Sequence, residues 1–399
     1  MKMISRRDFL YAGAAFCLTP VSAQGFKLFN KGAGNPGAED VRGRVFKGDA
    51  PEKPWKWSVE ASYYTKIFGD KVVCGLCPHK CVLSPGDRSV CRSRVNINGV
   101  LYSLVYGNPC AANIDPVEKK PLFHFLPNTS VFSIATTGCN FRCLNCQNWE
   151  ISQSTPDDVR HMELFPDDVV AGAVKYGSTS IAYTYSEAIT FFEYMIETSR
   201  TARRNGICNQ LISNGYINKE PLLELSKVLD AANINLKAFD DAVYRRLNGG
   251  TLQPVLETCK TLNKANVHLE ITNLVVPGYV DDDDMVKRMC AWITTNIGPD
   301  HPLHFLRFFP KYKLDRLAPT PVSTLTRFRE LAMKEGIRYV YIGNVPGHEG
   351  SHTYCHNCGK LLIKREGYAI PVYHLSDGRC RFCNTKIPGV WDKKNIKPA

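Results

Sequence analysis

The sequence predicts an α/β chain centred on a partial (βα)6 barrel of parallel strands, with a cysteine-rich extension before it and a four-cysteine ribbon after it. Two observations carry that expectation. Apolar, β-branched runs alternate with helical-period stretches from 130 to 345, and eleven of the 16 cysteines fall into three tight groups. At 399 residues and 44% apolar content the chain has ample material for a core, so whole-chain disorder is excluded. It contains no run of 18 apolar residues, and no integral membrane segment is expected in the mature chain.

Taken in order, residues 1–23 read as an export signal. Ser5-Arg6-Arg7-Asp8-Phe9-Leu10 resembles the twin-arginine pattern, an apolar stretch follows from Tyr11 to Val21, and Val21-Ser22-Ala23 supplies small residues for cleavage before Gln24. The expected location is therefore the periplasm, reached by the twin-arginine route, or the cytoplasm if the signal is not used. Cys17 follows Ala-Ala-Phe, a poor context for lipid attachment. Residues 24–70 read as a linker, because 25–54 is rich in Gly, Lys and Pro and shows no period.

Residues 71–129 form the cysteine-rich extension. Cys74, Cys77, Cys81 and Cys91 are too closely spaced for a disulfide framework and suit thiolates gathered on metal, either an auxiliary iron–sulfur cluster or a zinc ion. His79 lies among them and would replace one cysteine or stay at the surface.

Residues 130–350 form the barrel. Strands are expected at 130–135, 178–183, 209–212, 232–239, 267–276 and 303–309, with a seventh apolar run at 339–345. Helices are expected at 166–176, 188–204, 219–229, 252–265 and 281–296, and around 324–335. Sites in such folds sit at the carboxyl ends of the strands. The unusual polar residues follow the strands: Thr137-Gly138-Cys139, Glu187, Ser213-Asn214-Gly215, Lys237, Thr272-Asn273 and Arg307. Directly after the first strand comes Cys139-x3-Cys143-x2-Cys146. Three thiolates on one loop hold three irons of a [4Fe–4S] cube and leave the fourth without a protein ligand, open to a chelating substrate, whereas an electron-transfer cluster has four ligands.

Residues 351–391 form the ribbon. Cys355-x2-Cys358 and Cys380-x2-Cys383 are two knuckles with a hairpin expected at 361–373 between them. Four thiolates make a closed tetrahedral site, which suits structural zinc or rubredoxin-type iron. Residues 392–399 are a tail. Fifty Lys and Arg against 38 Asp and Glu give a net charge of +12, but the last 49 residues hold nine of those cations and only three acids, beside four cysteines. Ligated thiolates offset that excess, so no nucleic-acid partner is expected.

The cysteine loop, with aromatic Phe141 before its second cysteine, resembles the radical S-adenosylmethionine (SAM) superfamily. Further blocks are similar to the radical SAM component of the AmmeMemoRadiSam system, a group related to pyruvate formate-lyase activating enzymes. They include 115–125, Thr136-Thr137-Gly138-Cys139-Asn140, Ala182-Tyr183-Thr184-Tyr185, Ser213-Asn214-Gly215-Tyr216-Ile217, Leu236-Lys237-Ala238-Phe239, 270–274, 304–310 and 343–347. The resemblance implies a chain that reductively cleaves SAM at a [4Fe–4S] cluster to generate a 5′-deoxyadenosyl radical, like an activase of a glycyl-radical enzyme. It implies Glu187 for the SAM ammonium, Lys237 for its carboxylate, Asn214 and Thr272 for ribose or methionine, and His304 and Arg307 reaching SAM or substrate. The implied partners are a protein or small-molecule radical acceptor and a low-potential electron donor such as flavodoxin or ferredoxin. Three positions depart from the family pattern. Ser186 and Ala188 flank Glu187 where Asn and Pro are usual, and Asn235 stands where Asp is usual. Those changes would also suit an iron–sulfur electron carrier that has lost SAM chemistry.

Overall fold

The computed structural model describes residues 44–395. The export signal, residues 24–43 of the proposed linker, Cys17 and the last residues of the tail lie outside that range. One eight-stranded sheet organises the rest: β1 (Ala111–Pro116), β2 (Ser130–Ala135), β3 (Ser180–Tyr183), β4 (Cys208–Ser213), β5 (Ala231–Asn235), β6 (His268–Val275), β7 (Leu303–Arg307) and β8 (Val340–Gly343). They lie side by side in chain order, β1 antiparallel to β2 and all others parallel to their neighbours. No ladder joins β1 to β8, so the barrel stays open.

Between the parallel strands run α1 (Pro166–Lys175), α2 (Phe192–Arg204), α3 (Lys219–Ser226), α4 (Leu252–Lys264), α5 (Asp283–Asn296) and α6 (Val322–Lys334). Six strand–helix units closed by β8 match the predicted (βα)6 barrel and its seventh apolar run. The strands read as continuous apolar runs because helices cover one face and barrel contents the other; from Val131 to Ala135 every residue of β2 is buried. Each helix turns one stripe inward, as Val169, Val170 and Ala173 of α1 do. Burying side chains such as Ile134, Ile181, Leu211 and Ile271 completely contributes roughly 1.5–3 kcal/mol each.

The linker expectation fails over its described part. Val59–Glu60 and Tyr64–Ile67 are strands, each pairing into a small three-stranded sheet with segments of the cysteine-rich extension. Trp55 packs against Val95, Ile97 and Leu104 there. Strands of two to four residues give too few alternations to register as a period. After β8, Leu361–Glu366 and Ala369–Tyr373 form the expected hairpin. Its core of Leu362, Ile363, Leu375 and Ile387 is continuous with Phe123, Tyr339 and Tyr341 of the barrel. Among the described residues no helix is long and apolar enough to cross a membrane.

Candidate functional site

The chain that leaves β2 must turn sharply at the sheet's carboxyl edge, and Gly138 makes that turn at φ +98°. A Cβ there would lie 2.4 Å from the Cys91 carbonyl oxygen and from Ser93 Oγ, so glycine is required on both counts. The loop then delivers Cys139, Cys143 and Cys146 into a cavity of about 520 Å³ at the mouth of the barrel. Glu187, Asn214, Lys237 and Thr272 line the same cavity. Five separate strand ends or following loops therefore converge on one space, as the strand-end placement of these residues predicted.

Several N–H groups are aimed at sulfur. The Phe141 amide donates to Cys139 Sγ at 3.3 Å, and Asn248 Nδ2 donates to Cys143 Sγ at 3.2 Å. Asn248 ends a five-residue π-helical turn, Tyr244–Asn248, a local irregularity that brings its amide to the loop. Burial, the Glu187 carboxylate and the Cys143 thiolate push the Cys139 thiol well up. Burial and the Cys143 thiolate push Cys146 up to about 11. Thiolates packed this closely call for a cationic centre between them, and the N–H donors are placed for thiolates. Among the described residues no fourth cysteine and no histidine lines the cavity. The donor set thus fits a [4Fe–4S] cube with one iron left for an exogenous ligand.

Glu187 is almost fully buried. Its carboxylate accepts from Ser213 Oγ (2.6 Å), the Asn214 amide (2.8 Å) and the Ile189 amide (3.1 Å). Burial nonetheless holds its carboxyl above the ordinary range, against those three bonds and the pull of Lys237. A cation beside it would relieve that cost. Lys237 Nζ lies 3.3 Å from Asn235 Oδ1, an amide oxygen rather than the carboxylate usual in the family pattern. One buried carboxylate and one lysine side chain in the same cavity match the two ends of a zwitterionic amino acid. Thr272 donates to Asn233 Oδ1, and Asn214 Nδ2 donates to Asn140 Oδ1, both at 2.8 Å, which fixes their orientation.

Two predicted site residues lie elsewhere. His304 Nε2 meets Glu270 Oε2 at 2.6 Å, buried in the barrel. Glu270 also accepts the Phe123 and His124 amides and meets His268, so its charge needs these partners and draws His304 inward. Arg307 donates from Nε to the Thr320 carbonyl and stacks over Phe309. Neither lines the cavity.

The structure adds residues that pattern reading passed over. Lys120 Nζ pairs with Asp115 Oδ2 at 2.5 Å, the Tyr185 hydroxyl donates to the same oxygen, and Lys120 lies 4.6 Å from the Tyr185 ring centre. Both Lys120 and Tyr185 line the cavity, and Tyr185 holds φ +63°, a strained conformation for an aromatic residue. Tyr368, at the tip of the ribbon hairpin, lines it too. The 115–125 block was the available signal for the first pair; nothing local marks Tyr368.

The two outer cysteine groups differ in geometry. In the ribbon, Cys355, Cys358, Cys380 and Cys383 place all four sulfurs within 4.8 Å of one another, with Cys355–Cys383 at 3.6 Å and Cys358–Cys380 at 3.7 Å. Those spacings approximate the edge of a tetrahedron of sulfurs about 2.3 Å from one ion. Cys74, Cys77, Cys81 and Cys91 share one small pocket, yet no three of their sulfurs converge that closely. His79 is not at the surface: its Nε2 donates to the Asn140 carbonyl at 2.7 Å. Of the scattered cysteines, Cys208, Cys259 and Cys290 are buried and Cys110 partly so.

Residues 133–292 match the model of the radical SAM superfamily. An uncharacterized protein of Methanocaldococcus jannaschii is 48% identical over 330 residues, covering 82% of this chain and 98% of its own length. Pyruvate formate-lyase 1-activating enzyme of Escherichia coli is 28% identical over 223 residues, covering 51% of this chain and 89% of its own. A domain of a pyruvate-formate lyase-activating enzyme from Bacteroides vulgatus aligns at TM-score 0.37 and 15% identity, covering 42% of this chain and all of that domain. A three-thiolate loop at the mouth of an open (βα)6 barrel, set in a matching family segment and a near full-length relative, leads to one conclusion: the chain belongs to the radical SAM superfamily and is related to pyruvate formate-lyase activating enzymes.

Proposed function

We propose that this protein is a SAM-cleaving enzyme that passes a hydrogen-atom vacancy to a protein or small-molecule acceptor, in the manner of an activase. When bound, a [4Fe–4S] cluster carrying SAM supplies one-electron cleavage of the sulfonium C–S bond and a 5′-deoxyadenosyl radical. The chain's own residues bind, orient and shield. Cys139, Cys143 and Cys146 would hold the cluster, Glu187 the SAM ammonium and Lys237 its carboxylate, with Asn214 and Thr272 placed for ribose or methionine. Lys120, Tyr185 and Tyr368 remain on the wall for the acceptor. The observation that carries the reading is the pairing of three thiols, unaccompanied by a fourth ligand, with opposite charges at Glu187 and Lys237 in one cavity. A pure electron carrier has no use for that charge pair.

The ribbon's sulfur spacing supports zinc in a structural role there. Electrons would come from a low-potential donor of the flavodoxin or ferredoxin class, and Arg6-Arg7 supports export of the folded, metal-loaded protein. Anaerobically reconstituted protein, given SAM and dithionite, is expected to form 5′-deoxyadenosine. Wild-type protein with an intact cluster that forms none would favour the electron-carrier reading.

A further inference from the structure

We propose that Cys74, Cys77, Cys81 and Cys91 hold a second iron–sulfur cluster, closed by four protein ligands, which exchanges single electrons with the cluster of the Cys139 loop. The choice of a cluster over a single ion follows from spacing. The ribbon shows what a one-ion site looks like in this chain, with four sulfurs within 4.8 Å of one another. The sulfurs of the extension share one pocket but lie further apart, as the corners of a larger inorganic core require. Leu76, Val90 and Ile189 wall that pocket, and Arg94 reaches it as a cation held by both Glu193 oxygens at 2.6 and 2.7 Å. An apolar, enclosed setting disfavours the extra negative charge of a reduced cluster and so lowers its potential, while Glu193 balances the charge of Arg94.

The electron-exchange role follows from contact between the two ligand segments. Gly138, next to Cys139, passes so close to the Cys91 carbonyl that an added Cβ would lie 2.4 Å from its oxygen. The Asn140 carbonyl accepts from His79, which lies between Cys77 and Cys81. Arg142 Nη2 reaches the Val90 carbonyl at 3.3 Å, beside Cys91. Arg92 and Arg142 stack over the same Phe46 ring, at 5.2 and 5.4 Å, and Arg92 Nη1 is buried without a hydrogen-bond partner among the described residues. Residues 138, 140 and 142 thus meet Cys91, His79 and Val90, which lie in or beside the other ligand set. One electron would leave the reduced second cluster and enter the oxidised first, and an external low-potential one-electron donor would restore the second. This half of the proposal rests on the function proposed above; occupancy of the site does not.

The test is iron, sulfide and zinc analysis with electron paramagnetic resonance on the full-length, anaerobically reconstituted protein. Wild type is expected to carry roughly eight irons, and the Cys139→Ala/Cys143→Ala/Cys146→Ala variant about four, with a reduced-state signal that SAM does not alter. Cys77→Ser/Cys81→Ser should keep about four irons and a SAM-sensitive signal. Fully reduced wild type should show spin–spin broadening absent from both variants. About four irons in wild type with none in the triple variant, or zinc in the Cys74 site, would overturn the second cluster. Should either variant fail to fold, judged by circular dichroism, the wild-type iron content and broadening still decide. Two clusters without broadening would overturn the electron exchange alone, and absence of any SAM effect in wild type would count against the proposed function instead.

Discussion

Gly138→Ala probes the joint on which both cysteine groups depend. The residue sits at φ +98°, where an alanine costs on the order of 1–3 kcal/mol in backbone strain. Its Cβ would also arrive 2.4 Å from the Cys91 carbonyl oxygen and Ser93 Oγ. The first is backbone, so relief requires moving a ligand segment. Ser93 Oγ bonds the Cys91 and Thr137 carbonyls at 3.3 Å each, which resists rotation. Overpacking of this kind adds about 1–3 kcal/mol. The combined cost of roughly 2–6 kcal/mol should appear as a loss of several degrees in Tm and a fall in iron retained after anaerobic reconstitution. Gly177→Ala is the control, a glycine at φ +65° with nothing near its Cβ, and should lose stability without losing iron. Equal Tm and iron in Gly138→Ala and wild type would refute the packing of the loop against Cys91.

Cys143→Ala should abolish SAM cleavage and the cube's absorption, whereas Cys358→Ala should lower thermal stability and leave that absorption intact; structural zinc sites couple about 10–16 kcal/mol to folding. Glu187→Gln should raise the KM for SAM about ten- to a hundredfold, the loss of a charged hydrogen bond worth roughly 1.5–3 kcal/mol, measured as initial rate of 5′-deoxyadenosine formation. An unchanged KM would remove Glu187 from SAM binding. His124 predicts a pH effect. Burial holds its imidazole down at about 3, with Nε2 2.6 Å from the Tyr341 hydroxyl and Nδ1 2.6 Å from the Pro388 carbonyl. A folded pKa below the unfolded value near 6.5 means stability present above pH 6.5 and lost as pH falls toward 3. His124→Gln should therefore be less stable at neutral pH but show a shallower decline over that window in denaturant titrations. Parallel declines would contradict it.

The barrel was legible because its strands are buried on both faces and its helices carry one apolar stripe each, so period and residue type agree. The cluster loop was legible because Cys139, Cys143 and Cys146 are close in sequence. Glu187, Asn214, Lys237 and Thr272 share one cavity because barrel topology brings strand ends together, which needs no knowledge of side-chain angles. His304 and Arg307 obeyed the same rule and failed it. His304 pairs in register with Thr272 but is held by the buried Glu270, and the Thr320 carbonyl holds Arg307. Tyr368 was invisible because a hairpin more than 200 residues from the cysteine loop reaches the cavity only through the packing of the ribbon on Tyr339 and Tyr341. The strands at 59–67 were missed because their stability comes from pairing with 71–103, which no local pattern records.

In the function proposed above, the three-thiolate cluster offers one open iron to the amino and carboxyl groups of SAM between Glu187 and Lys237. Electron–nuclear double resonance on the reduced protein with SAM labelled with nitrogen-15 at its amino group tests it most directly. The account predicts a hyperfine coupling from that nitrogen to the reduced cluster, present in Cys358→Ala and absent in Cys143→Ala. A reduced cluster whose spectrum is unchanged by SAM, with no coupling from the labelled nitrogen, would contradict it.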